Sequence, residues 1–223
     1  MIKLSNLTKR YEQGAKTISV LDNLSFDIKL GGTTAIVGKS GCGKSTLLSL
    51  MGGLDHPTSG DVTIGNTCIS KMSEEELSKY RSTQIGIVFQ NFHLINSLTA
   101  LENVLLPLEV NKIKNAKEKA LSILDMVGLS DRVHHFPGEL SGGECQRVAI
   151  ARAVVIDPEI VLADEPSGNL DPETGEALMS ILFETAKKLE QTLIVVTHDY
   201  DLAKKCDRTL ELKNNELKNY DFN

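Results

Sequence analysis

Apolar residues recur along this chain with two periods, and the points where one gives way to the other divide it into elements. Ile2-Lys-Leu4 and Val20-Leu-Asp-Asn-Leu24-Ser-Phe26-Asp-Ile28 alternate with period two, which predicts strands of an antiparallel sheet ending at the Gly31-Gly32 turn. Tyr11 falls between them. The unbroken apolar runs Thr33 to Val37, Ile85 to Phe89, Ile160 to Ala163 and Thr192 to Thr197 read as buried strands. His56-Pro-Thr-Ser-Gly60 reads as a turn before the short strand Asp61 to Gly65, and Leu210-Glu-Leu212 with Leu217 across Asn214-Asn215 as a hairpin.

Helical spacing fills the intervals. A short helix runs from Thr46 to Met51, and the capping box Ser73-Glu-Glu-Glu76 starts an exposed helix reaching about Tyr80. A second box, Thr99-Ala-Leu-Glu102, opens a helix expected to end before Pro107, because proline restricts the residue preceding it. Ala120, Leu121, Leu124 and Val127 form one stripe closed by Gly128, and Leu178, Ile181, Leu182, Ala186 and Leu189 form another. The expected fold class is α/β: a mixed-sheet core with an N-terminal antiparallel β part, interrupted by a helical insert. A single domain over 1–223 is expected, with core 1–92 and 157–223 and insert 93–156.

Composition narrows the function classes. With 41% hydrophobic and 24% charged residues the chain can bury a core, and no apolar run approaches the twenty or so residues of a membrane span. Direct membrane insertion and a signal peptide are therefore not expected, which places the chain in the cytosol. The net charge of −6 and the 4% aromatic content argue against nucleic acid as a partner, since phosphate contacts need a basic face and base stacking needs rings. Cys42, Cys68, Cys145 and Cys206 are too scattered for a zinc or redox motif and read as free thiols.

The strongest chemical signal lies between the strand at Thr33 and the helix at Thr46. In Gly38-Lys39-Ser40-Gly41-Cys42-Gly43-Lys44-Ser45, glycines let backbone N–H groups converge on an anion. The following helix turns its positive end to the same place, Lys44 adds a charge, and the Ser45 hydroxyl is placed to hold Mg²⁺. Downstream, an apolar strand ends in Asp164-Glu165, where parallel strands place ligand contacts. Asp164 can position Mg²⁺ and Glu165 can polarise an attacking water. Gln90 and His198 also stand just beyond apolar strands. Gln90 reads equally as a ligand contact or a solvated loop residue, and His198 as a γ-phosphate contact or a surface residue. Tyr11 reads as an edge residue or as a ring for an adenine to stack on.

Leu140-Ser141-Gly142-Gly143-Glu144, running into Gln146-Arg-Val-Ala-Ile-Ala-Arg152, resembles the signature of ABC-transporter ATPase subunits. The resemblance spans nearly the whole chain: Tyr11 at an aromatic A-loop position, the cradle Gly38 to Ser45, Gln90, the signature, Asp164-Glu165, the D-loop Ser167-Gly-Asn-Leu-Asp171 and His198. It implies ATP and Mg²⁺ as cofactors. Nucleotide contacts would come from Tyr11, Gly38, Lys39, Ser40, Gly41, Cys42, Gly43, Lys44, Ser45, Thr46 and Gln90, metal contacts from Ser45, Gln90 and Asp164, and catalysis from Lys44, Glu165 and His198. It also implies a head-to-tail homodimer in which Ser141, Gly142, Gly143 and Glu144 complete the partner's site and Asp171 belongs to the shared interface.

Phe89 to Val104 and Leu162 to Asp171 are similar in wording to the lipoprotein-releasing, macrolide and antimicrobial-peptide exporter group, and to the cell-division ATPase close to it. The implied partner is an integral-membrane permease on a separate chain, with this subunit peripheral on the inner face of the cell membrane. Cys145 departs from the polar residue common in that group. A mechanical signalling role through a permease-like partner, and a soluble ABC ATPase without transport, are the alternatives.

Overall fold

The structure is a computed structural model that describes residues 1–14 and 16–222. It divides into two units, Met1–Arg81 with Ile194–Asn223, and Ser82–Leu193. In the first, β1 (Ile2–Gln13) and β2 (Lys16–Ile28) pair antiparallel, Ile2 opposite Ile28 and Leu4 opposite Phe26. Both strands are longer than the alternation predicts. Positive φ at Asn6 (49°) and Asn23 (54°) accompanies register shifts that reset which face each side chain takes, so the period-two pattern lapses while pairing continues. Tyr11 therefore lies on β1, opposite Ile18, and not between strands.

β3 (Thr33–Val37) leads into α1 (Lys44–Met51), followed by β4 (Ser59–Ile64) and β5 (Thr67–Cys68), which give the antiparallel order β2-β1-β4-β5. Gly60 is required where β4 meets β1, because a Cβ there would fall 2.3 Å from the Asn6 carbonyl oxygen. α2 (Glu74–Gln84) carries the Ser73 and Glu76 box and runs four residues past Tyr80.

In the second unit β6 (Ile85–Val88) pairs in parallel with β7 (Ile160–Asp164), Val88 opposite Ala163. The intervening chain forms α3 (Ala100–Val110), α4 (Ala116–Met126) and α5 (Gly142–Val154); α6 (Pro172–Lys188) follows β7. α5 is the core helix of this unit, with nine of its thirteen residues buried. It lies so close to β6 that a Cβ on Gly86 would come within 2.2 Å of the Ala153 carbonyl oxygen.

Two helices differ from expectation. α3 continues through Pro107 to Val110. An interior proline costs about 3 kcal/mol, but continuing buries Leu108 fully, and Asn111 Nδ2 donates to the Pro107 carbonyl at 2.8 Å. On α4 the buried stripe is Ala120, Ile123 and Leu124, while Leu121 is 36% exposed. Ala120, Leu124 and Val127 of the expected stripe are buried, and only Leu121 gives up its place, to Ile123. Gly128, with φ of 71°, closes the helix as read.

β8 (Thr192–Val196) begins in the second unit, where the Thr192 N–H reaches the Glu159 carbonyl, and continues in the first, beside β3. After α7 (Tyr200–Ala203), β9 (Arg208–Lys213) and β10 (Glu216–Asn219) complete the order β10-β9-β3-β8. Asn214 and Asn215, both with positive φ, make the expected two-residue hairpin turn.

Asn103, fully buried on α3, ties down the chain before that helix: its Nδ2 donates to the Ile95, Leu98 and Thr99 carbonyls and its Oδ1 accepts from the Ile95 N–H. Asn103→Ala removes the side-chain partner of the Ile95 N–H and of the Leu98 carbonyl, which should cost about 2 kcal/mol and lower the thermal midpoint by roughly 4–8 °C in a chain of this size. Calorimetry of the two proteins checks it. At α5, the Glu144 carboxylate accepts from the Ser141 N–H and from Arg132 Nε. These bonds, the backbone one foremost, hold its pKa at about 2 against 4.5. Because the folded value is the lower one, the stabilisation is complete above pH 4.5 and lost as pH falls toward 2. Glu144→Gln should flatten the acid limb of a plot of midpoint against pH over that window.

Candidate functional site

Fully buried Ala35, Ile36 and Val37 fix the end of β3, and the chain then turns through Gly38 to Gly43 into α1. Gly38 touches β9 so closely that a Cβ would fall 2.6 Å from the Leu212 carbonyl oxygen. Gly43, with φ of 102°, stands at the N-cap and offers no side chain to α1. The first turn of α1 holds no acidic residue either. By contrast α3, α5 and α6 are capped by Thr99, Ser141 and Asp171. A helix start without a side-chain cap or an acidic first turn is electrostatically suited to an anion. Lys44, 7% exposed, curls back so that Nζ donates to the Gly38 carbonyl at 2.9 Å and the Lys39 carbonyl at 3.3 Å. Lys39, Ser40, Gly41 and Ser45 are exposed around it, and Cys42 and Thr46 are half-buried.

Tyr11 belongs to the same unit, and its ring is 40% exposed. Its hydroxyl donates to Asp55 Oδ2 at 3.0 Å and also meets Thr46 at the start of α1. Lys9 Nζ sits 4.8 Å from the ring centroid and pairs with Asp55 Oδ1 at 2.6 Å. Burial, then the Asp55 bond, raises the phenol's pKa. Burial opposes ionisation of Asp55, but the bonds from Lys9 and Tyr11 outweigh it and lower that carboxyl. Sequence reading missed Lys9 and Asp55, since nothing local marks residues 46 positions apart as partners. His198 is exposed just past β8, where the Thr197 N–H reaches the Ile36 carbonyl at 3.1 Å. It leaves the sheet at the edge where β3 enters the glycine-rich turn.

In the second unit β7 delivers Asp164 and Glu165, both half-buried, at its carboxyl end. Glu165 has φ of 45°, left-handed backbone that costs a non-glycine residue on the order of 1 kcal/mol or more. The Gly168 N–H closes the turn on the Glu165 carbonyl at 2.9 Å. Gln90 stands just beyond β6, the neighbouring strand, and its Nε2 donates to Asn169 Oδ1 at 3.0 Å. Beneath both turns lies Gln146, fully buried on α5, whose Nε2 donates to the Phe89 carbonyl at 3.0 Å and the Pro166 carbonyl at 2.8 Å. Arg152 on the same helix holds the Phe92 and His93 carbonyls. Asn169, Gln146 and Arg152 were not singled out from sequence, although a glutamine within an otherwise apolar helical stripe is itself a signal.

Ser141 and the two glycines open α5. A Cβ on Gly143 would fall 2.7 Å from Thr174 Cγ2, and one on Gly142 3.3 Å from Leu170 Cδ2. Asp171 Oδ1 caps α6 by accepting from the Thr174 N–H at 3.0 Å. The Ser167 to Asp171 turn and the start of α5 are therefore packed side by side. An open groove of about 760 Å³ adjoins them, lined chiefly by Phe92, His93, Leu94, Phe136, Pro137 and Leu140. Cys145 is buried at its edge, with Sγ 3.5 Å from the Pro137 carbonyl oxygen.

In the second unit Gln90 and Asp164, at the ends of neighbouring strands, each offer an oxygen of the kind that suits a hard divalent cation; in the first unit Ser45 offers a hydroxyl. Among the described residues no three His, Cys, Asp or Glu side chains converge as a metal cage. No described helix is long and apolar enough to cross a membrane.

Comparison with known proteins agrees with this chemistry. A family model described as ABC transporter matches residues 21–168. The Lipoprotein-releasing system ATP-binding protein LolD of Legionella pneumophila is 47% identical over 213 residues, covering 95% of this chain and 94% of that protein. The protein of the same name from Bacteroides thetaiotaomicron is 46% identical over 220 residues, covering 98% and 99%. Among solved structures, the dimeric post-hydrolysis state of the ATP-binding cassette MJ0796, bound to ADP and Pi, superposes with a TM-score of 0.90 at 42% identity, covering 100% of this chain and 99% of that one. The α/β fold and the resemblance drawn from the signature are borne out: the chain belongs to the ABC transporter family, as one of its ATPases.

Proposed function

We propose that this ATPase powers a separate integral-membrane permease, and that its work is the export or extraction of lipophilic or peptide cargo. The observation that carries the nucleotide reading is the start of α1 without a side-chain cap, with the Lys44 ammonium buried against the loop carbonyls. The triphosphate lies along Gly38 to Thr46, with the adenine on Tyr11. Ser45, Gln90 and Asp164 would hold Mg²⁺, which would supply charge neutralisation at the phosphates. Glu165 takes the proton of the attacking water, Lys44 and His198 contact the terminal phosphate, and residues 1–223 make one domain, with core 1–92 and 157–223 and insert 93–156.

Two copies pair head to tail around ATP. Ser141, Gly142 and Gly143 of one chain bind the nucleotide held by the other, and Asp171 lies in the interface; the dimeric cassette similar to this chain supports that reading. The Glu144 carboxylate serves its own helix cap, so its part in the partner's site is to keep Ser141 in place. The permease docks in the apolar groove at Phe92 and Phe136, which holds the subunit at the cytoplasmic face of the membrane. Similarity to LolD supports a lipoprotein or another amphipathic cargo.

Glu165→Gln should lower turnover by about 10²-fold or more, since an amide is a far poorer proton acceptor, while ATP binding persists and traps the dimer. Lys44→Ala should instead weaken nucleotide binding itself. Turnover above a few per cent in Glu165→Gln would remove the base assignment. Specific activity should rise with protein concentration because each site needs two chains. A flat value down to concentrations where size-exclusion shows monomer alone would contradict shared sites.

A further inference from the structure

The side-chain amide of Gln90 takes its orientation from the turn after β7. Asn169 Nδ2 donates to the backbone carbonyl of Gln90 at 3.1 Å and to Asn91 Oδ1 at 2.9 Å. A main-chain carbonyl can only accept, so this contact decides which end of the Asn169 amide is nitrogen. Its oxygen is then the end that faces the Gln90 side chain, where it accepts from Nε2 at 3.0 Å. The assignment passes in turn to Gln90: Nε2 is committed to Asn169, and Oε1 is the end turned from it. The flipped amide would set two acceptor oxygens against each other with no proton between them, and would offer an NH₂ group where a cation needs an oxygen. Gly168 makes room for this arrangement, since a Cβ there would fall 2.9 Å from Gln90 Nε2.

We propose that Asn169 is a positioning residue for ATP hydrolysis: it withdraws the Gln90 amide nitrogen and so presents Oε1 to the divalent cation. The inference rests on the reading of Gln90 as a cation ligand. It assigns to the segment between the carboxylate pair and Asp171 a task within its own chain. Both residues belong to one unit and both are exposed, so removing the Asn169 side chain leaves the core untouched.

The test is Mn²⁺ binding, followed as free Mn²⁺ by electron paramagnetic resonance, to the protein saturated with a non-hydrolysable ATP analogue. It compares the unaltered chain, Asn169→Ala, Gln90→Ala and the double variant. Asn169→Ala should weaken Mn²⁺ binding about tenfold, as loss of an outer partner of a metal ligand does, and Gln90→Ala at least as much. The double variant should bind Mn²⁺ no more weakly than Gln90→Ala, because Asn169 acts only through Gln90. Affinity for the analogue in EDTA should be unchanged in Asn169→Ala. Losses that multiply in the double variant, unaltered Mn²⁺ binding in Asn169→Ala beside a weakened Gln90→Ala, or a fall in metal-free analogue affinity would each overturn the proposal. Unaltered binding in Gln90→Ala would instead overturn the cation-ligand reading on which it rests.

Discussion

The N–H groups at the start of α1 are those of a helix end without a side-chain cap, and the glycine-rich turn of the first unit is built at that end. Gly43 denies them a side-chain cap, and no acidic residue enters the first turn. Lys44 is buried against carbonyls, which leaves its charge facing the same place. Three other helices, α3, α5 and α6, satisfy their first turns from within. A helix start with neither a side-chain cap nor an acidic first turn favours an anion. Closing it with polyphosphate stabilises the folded chain in proportion to the logarithm of ligand excess.

The second unit depends on α5. One buried helix starts at Ser141, carries Gln146 beneath the turns that present Gln90 and Glu165, and ends its grip on the 89–93 loop through Arg152. The turns that carry Gln90 and Glu165 are therefore hydrogen-bonded to the helix whose start holds Ser141.

What could be read in the sequence was what is contiguous. The glycine-rich cradle, the Ser141 and Glu144 box, the Asn214-Asn215 hairpin and the carboxylate pair each lie within a few residues, so local spacing carries their meaning. The long-range partners were invisible: Asn169 reaches Gln90 across 79 positions and Asp55 reaches Tyr11 across 44. β1 and β2 were underestimated because Asn6 and Asn23 reset the alternation, and α3 outran Pro107 because burial of Leu108 offsets a local penalty that the sequence states and packing overrides. Leu121 and Ile123 are equally apolar, and only the neighbouring helices decide which of them faces inward.

Glu165 shows what such a site costs its owner. Held at φ of 45°, it occupies a conformation that glycine or asparagine would accept more readily. A redesign guided by thermal stability alone would replace it and recover on the order of 1 kcal/mol. The resulting protein would melt later, keep the same fold and still carry its phosphate cradle, yet it would lack the proposed base. At this position selection for durability and selection for work pull in opposite directions.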